Sequence, residues 1–494
     1  MKILKYIFAG TVLSGALFAS CTSFDELNTD PTRMEEVNPG TLLNPMLYDL
    51  GVYNWGRFRS YTYRIMQESV SNSGTNGVDW WYLGDATGDG SWTKYYKWIN
   101  NAKEITRLTG KLPEGTKIQN YDAISITLQS WMFQLLTDSY GDVPMTDACS
   151  ADEGTLTPAF DRQKDIYQNL IDTLDYANSL FDVNAGLIYN QSPELLYDAS
   201  SSSKDGILGW KKFCNSLRLR VLLRVIDVPE LNAREEIAHM LANPEQYPLF
   251  ESNEDAAMLS ISGTYPQEAP LARPQDFSLF VNISEFLVDM LKEWNDPRLP
   301  IYATAVTVKD EVTGEERKDY VGLPSGYQVL PAGEYSALNK NMAIAPMDLA
   351  FMTYAELEFI KAEIYQKGIV PGGEEAARAA YEKGVQASVE QWGGEFPTDY
   401  FANPAAQYDG TLECIMKQKF VSLIFCDYQQ WFEYNRTGYP VIPVGEGLLA
   451  SGNKMPKRFK YPAVLQRTNL KNYQKAKEQM GGDDFSTPLI WQKK

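Results

Sequence analysis

The sequence predicts a mostly α-helical protein whose core consists of tetratricopeptide-like helix pairs, with a loop-rich face that contains a few small strands. Three observations support this fold class. Apolar residues recur at helical spacing through much of the chain, and short Gly/Pro turns separate neighbouring helices. Long stretches rich in Gly, Pro and aromatic residues lie between the helical segments.

Residues 1–20 have the pattern of a bacterial secretion signal and are not expected to be part of the fold. Two lysines precede an uncharged, mostly apolar run from Ile7 to Phe18, which is shorter than the roughly 20 residues of a spanning helix. The small pair Ala19-Ser20 before Cys21 resembles a lipobox. We therefore expect cleavage before Cys21 and lipid attachment to it, with an ordinary secretory signal as the alternative. The remaining chain, 21–494, is expected to form one binding domain.

Helical periodicity is clearest in residues 353–368. Leu357, Ile360 and Ile364 fall at i, i+3 and i+7 and form an apolar stripe. Acidic residues off such a stripe usually form a solvated face; here they are Glu356, Glu358 and Glu363. A Pro-Gly-Gly turn at 371–373 and a second, alanine-rich helix over 374–392 complete a tetratricopeptide-like hairpin. Further helices are predicted over 121–138, 161–181, 207–227 and 411–436.

Three long loop-rich regions separate these helices. They are residues 70–92, 259–345 and 437–470. The second region contains a strand-like pair, TAVTVKD and EERKDYVGL, around Thr313-Gly314. Loops longer than about 15 residues in a compact protein are usually functional or disordered, and the density of aromatic residues favours a functional role.

Composition excludes several function classes. The chain has 64 Asp+Glu against 45 Lys+Arg and a formal net charge of −19. Because phosphate contacts require a basic face, this charge argues against nucleic acid as a partner. The single histidine, His239, excludes metal centres that need two or more imidazoles. It lies near the end of a predicted helix, where we expect it to pack.

Four cysteines follow Cys21, and no two of them have C-x-x-C spacing. They are Cys149, Cys214, Cys414 and Cys426. The last two fall in the single helix predicted over 411–436, which places them about 18 Å apart and outside disulfide range. We expect all four to be free thiols that pack as small apolar groups.

The sequence contains no convincing metal or catalytic motif. Residues 85–90 are similar to the first half of a calcium-binding loop, but position 12 is Tyr96 where a glutamate is required. An Asp/Gly-rich turn is therefore favoured, and neither metal nor cofactor is expected. A glycosidase needs two carboxylates across a cleft. With 64 acids such a pair is always available, yet none stands in a motif, so an enzyme is disfavoured.

The strongest candidate for a binding site is the aromatic triplet Trp80-Trp81-Tyr82, within a loop rich in Gly, Asn, Ser and Asp. Flat rings beside amide and carboxylate groups suit a carbohydrate, whose C–H faces stack and whose hydroxyls form hydrogen bonds. We expect Asn76 and Asp79 to supply hydrogen bonds beside the rings, and Tyr327 to form the opposite wall. The alternative is that the rings anchor the loop to the core.

Eight sequence blocks, in order along the chain, carry a resemblance to a known family that runs from Cys21 to Trp491. They are CTSFDELNTDPTRM, LTDSYGDVPMTDA, AFDRQKDIYQNLIDTLDYA, WKKFCNSLRLRVLLR, NDPRLPIY, MTYAELEFIKAEIYQKG, WFEYNRTGYP and MPKRFKYP. In these blocks and their order, the chain resembles the SusD/RagB family of outer-membrane lipoproteins. In the first block, Asp25-Glu26 resemble the family's acidic signal for surface export.

The resemblance implies a role at the cell surface. A protein of this family is held to the outer membrane by its lipid and acts as the lid of a SusC-like TonB-dependent barrel. It captures a nutrient, commonly a glycan and sometimes a peptide, and delivers it to that barrel. A glycan is the favoured ligand class here. A peptide-binding lid, a surface glycoside hydrolase and an adhesive surface protein remain as alternatives.

The lipid attachment is testable by intact mass of the native protein. We expect residues 1–20 to be missing and diacylglycerol, usually with a third acyl chain, to be present on Cys21. The Cys21→Ala variant should leave the membrane fraction, because each buried CH₂ of the lipid contributes about 0.8 kcal/mol to anchoring. The matched variant Cys149→Ala should stay there. A mature form that begins elsewhere would contradict the assignment.

Overall fold

The computed structural model describes residues 37–74, 77–310 and 312–492. The predicted signal peptide, Cys21, Asp25-Glu26 and Asn76 lie outside the described residues. The elements below belong to one compact unit that begins at Pro39. The helices of six or more residues are α1 Pro39–Arg57, α2 Asp89–Thr109, α3 Gln119–Tyr140, α4 Gln163–Leu180, α5 Asp205–Arg224, α6 Ala233–Ala242, α7 Glu285–Glu293, α8 Tyr354–Gln366, α9 Gly373–Gln391, α10 Leu412–Ser422, α11 Gln429–Thr437, α12 Glu446–Ser451 and α13 Leu470–Met480.

Within the described residues, the strands form three two-stranded antiparallel sheets. The strands are β1 Ser69–Ser71, β2 Ala257–Ile261, β3 Val281–Ile283, β4 Val306–Lys309, β5 Glu316–Asp319 and β6 Met347–Met352. Strand β1 pairs with β3, β2 with β6, and β4 with β5. The β4–β5 hairpin is the strand pair predicted from the sequence, with Val306 opposite Asp319 and Lys309 opposite Glu316. The mostly α fold with a few small strands is therefore confirmed.

Consecutive helices pack against one another to form the core. Helices α1 to α5 each contact the next along the chain, and α8 packs on α9 as the predicted hairpin. Gly384 on α9 allows this close approach, since a Cβ there would lie 3.0 Å from the ring of Phe359 on α8. Thr353 starts α8 as its N-cap, with its side chain accepting a hydrogen bond from the Glu356 amide.

The prediction of one helix over 411–436 is wrong. The segment forms α10 and α11, and between them Phe425 and Asp427 have φ of +66° and +42°. Tertiary contacts stabilise this break. The Phe425 ring stacks on Trp55 with 5.1 Å between centroids, and the Asp427 carbonyl accepts a hydrogen bond from the Thr62 hydroxyl at 2.7 Å. Cys414 and Cys426 therefore do not share a helix, although both are free thiols.

The expectation of a solvated acidic face on α8 is also wrong, because all three glutamates are buried. Glu356 forms a bidentate ion pair with Arg220 of α5, with N–O distances of 2.8 and 2.5 Å. Glu363 pairs in the same way with Arg436 of α11, at 2.7 and 2.6 Å. Glu358 accepts a hydrogen bond from Lys361 at 2.6 Å. Glu356 and Glu363 thus connect α8 to α5 and α11, whereas Glu358 is paired within α8.

Breaking one buried pair should destabilise the protein strongly. Arg220→Met leaves the Glu356 carboxylate buried without a counter-charge, which typically costs about 3–5 kcal/mol. Arg378→Met removes an exposed pair with Glu374 and should cost less than about 1 kcal/mol. Urea unfolding of both variants measures the difference. A similar loss in the free energy of unfolding of both variants would show that the buried pair contributes no more to stability than the exposed pair.

Candidate ligand-binding face

Strands β1 and β3 position the start of the loop that carries the aromatic triplet. Ser71 lies opposite Val281 in this sheet. Beyond it, the Asn72 amide N–H donates to the Phe280 carbonyl at 3.0 Å, and the Asn72 side chain donates to Asn282 at 2.7 Å. The chain then forms a short 3₁₀ helix, Gly77–Trp80. These contacts bring the loop beside residues 279–282.

Two further segments complete the same surface. The Asn453 side chain donates a hydrogen bond to the Trp80 carbonyl at 2.8 Å. Gly447 of α12 lies against the Trp80 ring, where a Cβ would be 2.7 Å from the nearest ring carbon. The Gly447 amide donates to the Gly326 carbonyl at 2.8 Å. We call the surface formed by residues 77–83, 279–282, 323–330 and 445–453 the loop face.

Trp81 is part of the core, which corrects its expected place in a ligand platform. Trp81 is only 9% exposed, and its indole N–H donates to the Ile65 carbonyl at 2.9 Å. The Trp81 backbone has φ of +54°, a conformation that is uncommon for a bulky residue and must be held by its surroundings. Because consecutive side chains point in different directions, this inward ring leaves its neighbour facing outward.

Asp79 is likewise unavailable as a surface acceptor. Its carboxylate is buried and accepts two hydrogen bonds from Arg64, at 2.9 and 2.7 Å. Burial raises the pKa of Asp79, although Arg64 opposes this shift. The carbonyl of Asp79 accepts a further hydrogen bond from Gln67 at 3.0 Å. The expectation of a ligand contact is therefore corrected: Asp79 ties the 3₁₀ helix to the protein body.

The other predicted residues divide between surface and interior. Tyr82 is 63% exposed, and Trp80 is half-buried against α12. Tyr327 is only 6% exposed, and its hydroxyl donates to the Ser71 carbonyl at 2.6 Å. Burial raises its pKa. Tyr327 therefore supports the loop face from beneath and does not form its opposite wall, while Asn76 lies outside the described residues.

Phe280 is a candidate that sequence reasoning missed. The residue is 61% exposed, and its φ is +61°, which costs an L-residue roughly 1–2 kcal/mol. A strained aromatic residue on an exposed loop favours a functional role. The neighbouring sequence, SLFVN, has no glycine to mark this conformation. Other exposed apolar residues of the loop face are Leu279, Val329, Leu330 and Leu449.

The structure gives structural contacts to the residues of the calcium-like segment and to His239. Asp85 of the calcium-like segment forms an ion pair with Lys460 at 3.0 Å. Tyr96 lies within α2 and donates its hydroxyl to the Pro144 carbonyl. Within the described ranges, no group of three or more His, Cys, Asp or Glu side chains is placed to hold a metal ion. His239 packs edge-on against the Tyr247 ring, with 5.6 Å between centroids.

A helix-pair core that carries a loop-built face with exposed rings defines a helical ligand-binding protein. A SusD-like family profile, described as "Starch-binding associating with outer membrane", matches residues 31–462. The chain belongs to this SusD-like family of outer-membrane-associated nutrient-binding proteins. No curated protein matches the sequence. In the part of the chain that the structure describes, no helix is long and apolar enough to span a bilayer.

Solved structures share the fold across the whole domain. A chitin-binding protein aligns with a TM-score of 0.76 and 24% identity, covering 92% of this chain and 100% of its own. A SusD homologue from Bacteroides fragilis has a TM-score of 0.75 and 21% identity, with coverage of 92% and 100%. One from Bacteroides uniformis has a TM-score of 0.72 and 21% identity, with coverage of 93% and 100%.

The adjacent rings of Trp81 and Tyr82 should differ sharply in their effect on stability. Trp81→Ala removes a buried ring and a satisfied indole N–H, so we expect a loss of about 3–5 kcal/mol in the free energy of unfolding. Tyr82→Ala removes an exposed ring and should change it by less than about 0.5 kcal/mol. Denaturant unfolding tests this contrast, and equal losses would contradict the assignment of the two rings.

Proposed function

We propose that the protein is a surface-exposed lipoprotein, anchored through Cys21, that captures a glycan on its loop face. It then delivers this glycan to a SusC-like TonB-dependent barrel, for which it serves as the lid. The observation that carries the glycan assignment is the pair of exposed rings, Tyr82 and Phe280. The β1–β3 sheet joins the two segments that carry these rings. Membership of a starch- and nutrient-binding family supports the same ligand class.

The geometry of the loop face suits capture followed by release. Each ring that stacks on a sugar contributes roughly 0.5–1.5 kcal/mol. A few such contacts hold an oligosaccharide while leaving its dissociation fast enough for transfer to the barrel. The similarity to a chitin-binding protein across 92% of the chain makes β-linked N-acetylglucosamine oligomers a reasonable first probe.

Glycan binding is testable with a panel of oligosaccharides that includes chitohexaose and maltoheptaose. The double variant Tyr82→Ala/Phe280→Ala should bind the best ligand about tenfold more weakly, because it removes both exposed rings. Tyr176→Ala is the matched control, since Tyr176 is an exposed tyrosine on α4, outside the loop face. Isothermal titration calorimetry gives the affinities. Wild-type affinity in the double variant, or no glycan binding at all, would contradict the proposal.

The partnership is testable by affinity purification from native outer membranes. A lid that closes on a barrel needs a large interface, and stable complexes commonly bury more than about 2,000 Å². We therefore expect a tag on this chain to recover a SusC-like barrel in near-equal amount after mild detergent extraction. Other barrel–lipoprotein complexes in the same extract serve as the control. If these stay intact while this chain is recovered alone, the lid role is wrong.

A further inference from the structure

A cavity that shares no residue with the loop face lies between α1, the end of α9, the segment 339–348 and the turn between α10 and α11. Its volume is about 450 Å³, which falls in the lower part of the range for small-molecule sites. We call it the aromatic cavity, after the three rings that line it. These rings belong to Trp55, Trp392 and Phe425.

Aromatic rings and thioethers give the cavity a largely apolar lining. Trp55 stacks on Phe425 in nearly parallel planes, with 8° between the rings and 5.1 Å between their centroids. The Trp392 ring lies 6.0 Å from the same Phe425 ring. The lining also contains the methionines Met258, Met342 and Met347. Because thioether sulfur packs favourably against aromatic rings and methionine adapts its shape to a neighbour, this lining suits a flat aromatic body.

The cavity has little charge. Among the described residues that line it there is no lysine, arginine or histidine, and the single acid is Asp348. The Asp348 carboxylate already accepts a hydrogen bond from the hydroxyl of Ser260, its partner across the β2–β6 sheet. An anionic ligand would therefore find no cation in this cavity, and an uncharged ligand fits it better.

Three residues of the lining carry a buried polar atom that has no hydrogen-bond partner among the described residues. These atoms are the indole N–H groups of Trp55 and Trp392 and the side-chain oxygen Oε1 of Gln391. Trp55 is only 2% exposed. A buried indole N–H usually has a partner, and a buried polar group left unpaired destabilises the protein. A ligand that brings two acceptors and one donor to these atoms would remove that cost.

We propose that the aromatic cavity binds an uncharged, planar heteroaromatic molecule that carries carbonyl acceptors and an N–H donor on its edge. The carbonyls accept from the two indole N–H groups, and the N–H donates to Gln391. A sugar fits less well, because its many hydroxyls need more free polar partners. Asn339, for example, already donates to the Pro300 carbonyl at 3.3 Å and accepts from the Asn341 amide N–H at 3.1 Å. This site is independent of glycan binding on the loop face.

Isothermal titration calorimetry with theophylline and caffeine tests the proposal. Both probes are flat and carry the same carbonyl oxygens, but the ring N–H of theophylline is replaced by N-methyl in caffeine. Wild-type protein should bind theophylline about tenfold more tightly than caffeine, because only theophylline can donate to Gln391. The variant Gln391→Met removes this acceptor and keeps the length of the side chain. It should bind the two probes with affinities within about twofold of each other.

A second pair of variants locates the bound probe. Ile344 lines the cavity and is 43% exposed, so Ile344→Trp should fill part of the cavity without removing a core side chain and should abolish theophylline binding. Ile188 is 39% exposed and lies outside the cavity. The matched variant Ile188→Trp should bind theophylline as wild type does. Thermal unfolding checks that both variants are folded.

Several results would overturn the proposal. These are no binding of theophylline by wild type, equal affinity for theophylline and caffeine, and unchanged binding by Ile344→Trp. Displacement of theophylline by chitohexaose would also overturn it, since the probe would then lie on the loop face. The variant Tyr82→Ala/Phe280→Ala should bind theophylline with wild-type affinity, so a failure of the glycan site is distinguished from a failure of this one.

Discussion

The arrangement of the helices depends on a buried network of arginines, lysine and carboxylates that joins α3, α5, α8, α10 and α11. Arg224 lies between the rings of Phe432 and Trp491, 5.4 Å from each, and pairs with Glu433 at 2.9 Å. Glu433 also accepts hydrogen bonds from Lys419 and Arg436. Burial alone raises the pKa of Glu433, yet the three surrounding cations bring it well below its usual range.

We expect such a network to restrict the packing of the helices more than it stabilises the fold. Removing charges from water is costly, and the cost is recovered only when each partner sits at hydrogen-bond distance. A shift of α8 relative to α5 or α11 would separate Glu356 from Arg220 and Glu363 from Arg436, and would leave buried charges unpaired. The helix packing is therefore held to one register. On this rigid base, the loops between the helices are free to carry ligand-binding residues.

The sequence predicted the helices well where the apolar spacing is regular, as in α3, α4, α8 and α9, and it predicted the β4–β5 hairpin as a strand-like pair around Thr313-Gly314. It failed where long-range contacts decide the outcome. The break between α10 and α11 depends on Trp55 and Thr62, more than 350 residues away in the chain. The burial of Glu356 and Glu363 depends on arginines of other helices, and helical spacing alone cannot reveal these pairs.

The aromatic triplet shows the same limit of prediction from sequence, here for single side chains. The sequence has three large aromatic residues in a row but does not indicate which ring is anchored, because that depends on the Ile65 carbonyl and on the left-handed backbone at Trp81. The structure makes Trp81 the anchor of the exposed Tyr82 ring beside it. Arg64 holds the same turn through Asp79, and Asn453 holds it through Trp80. A ring presented on a turn that is already fixed loses little conformational entropy when a ligand binds, so even a small stacking energy contributes to affinity.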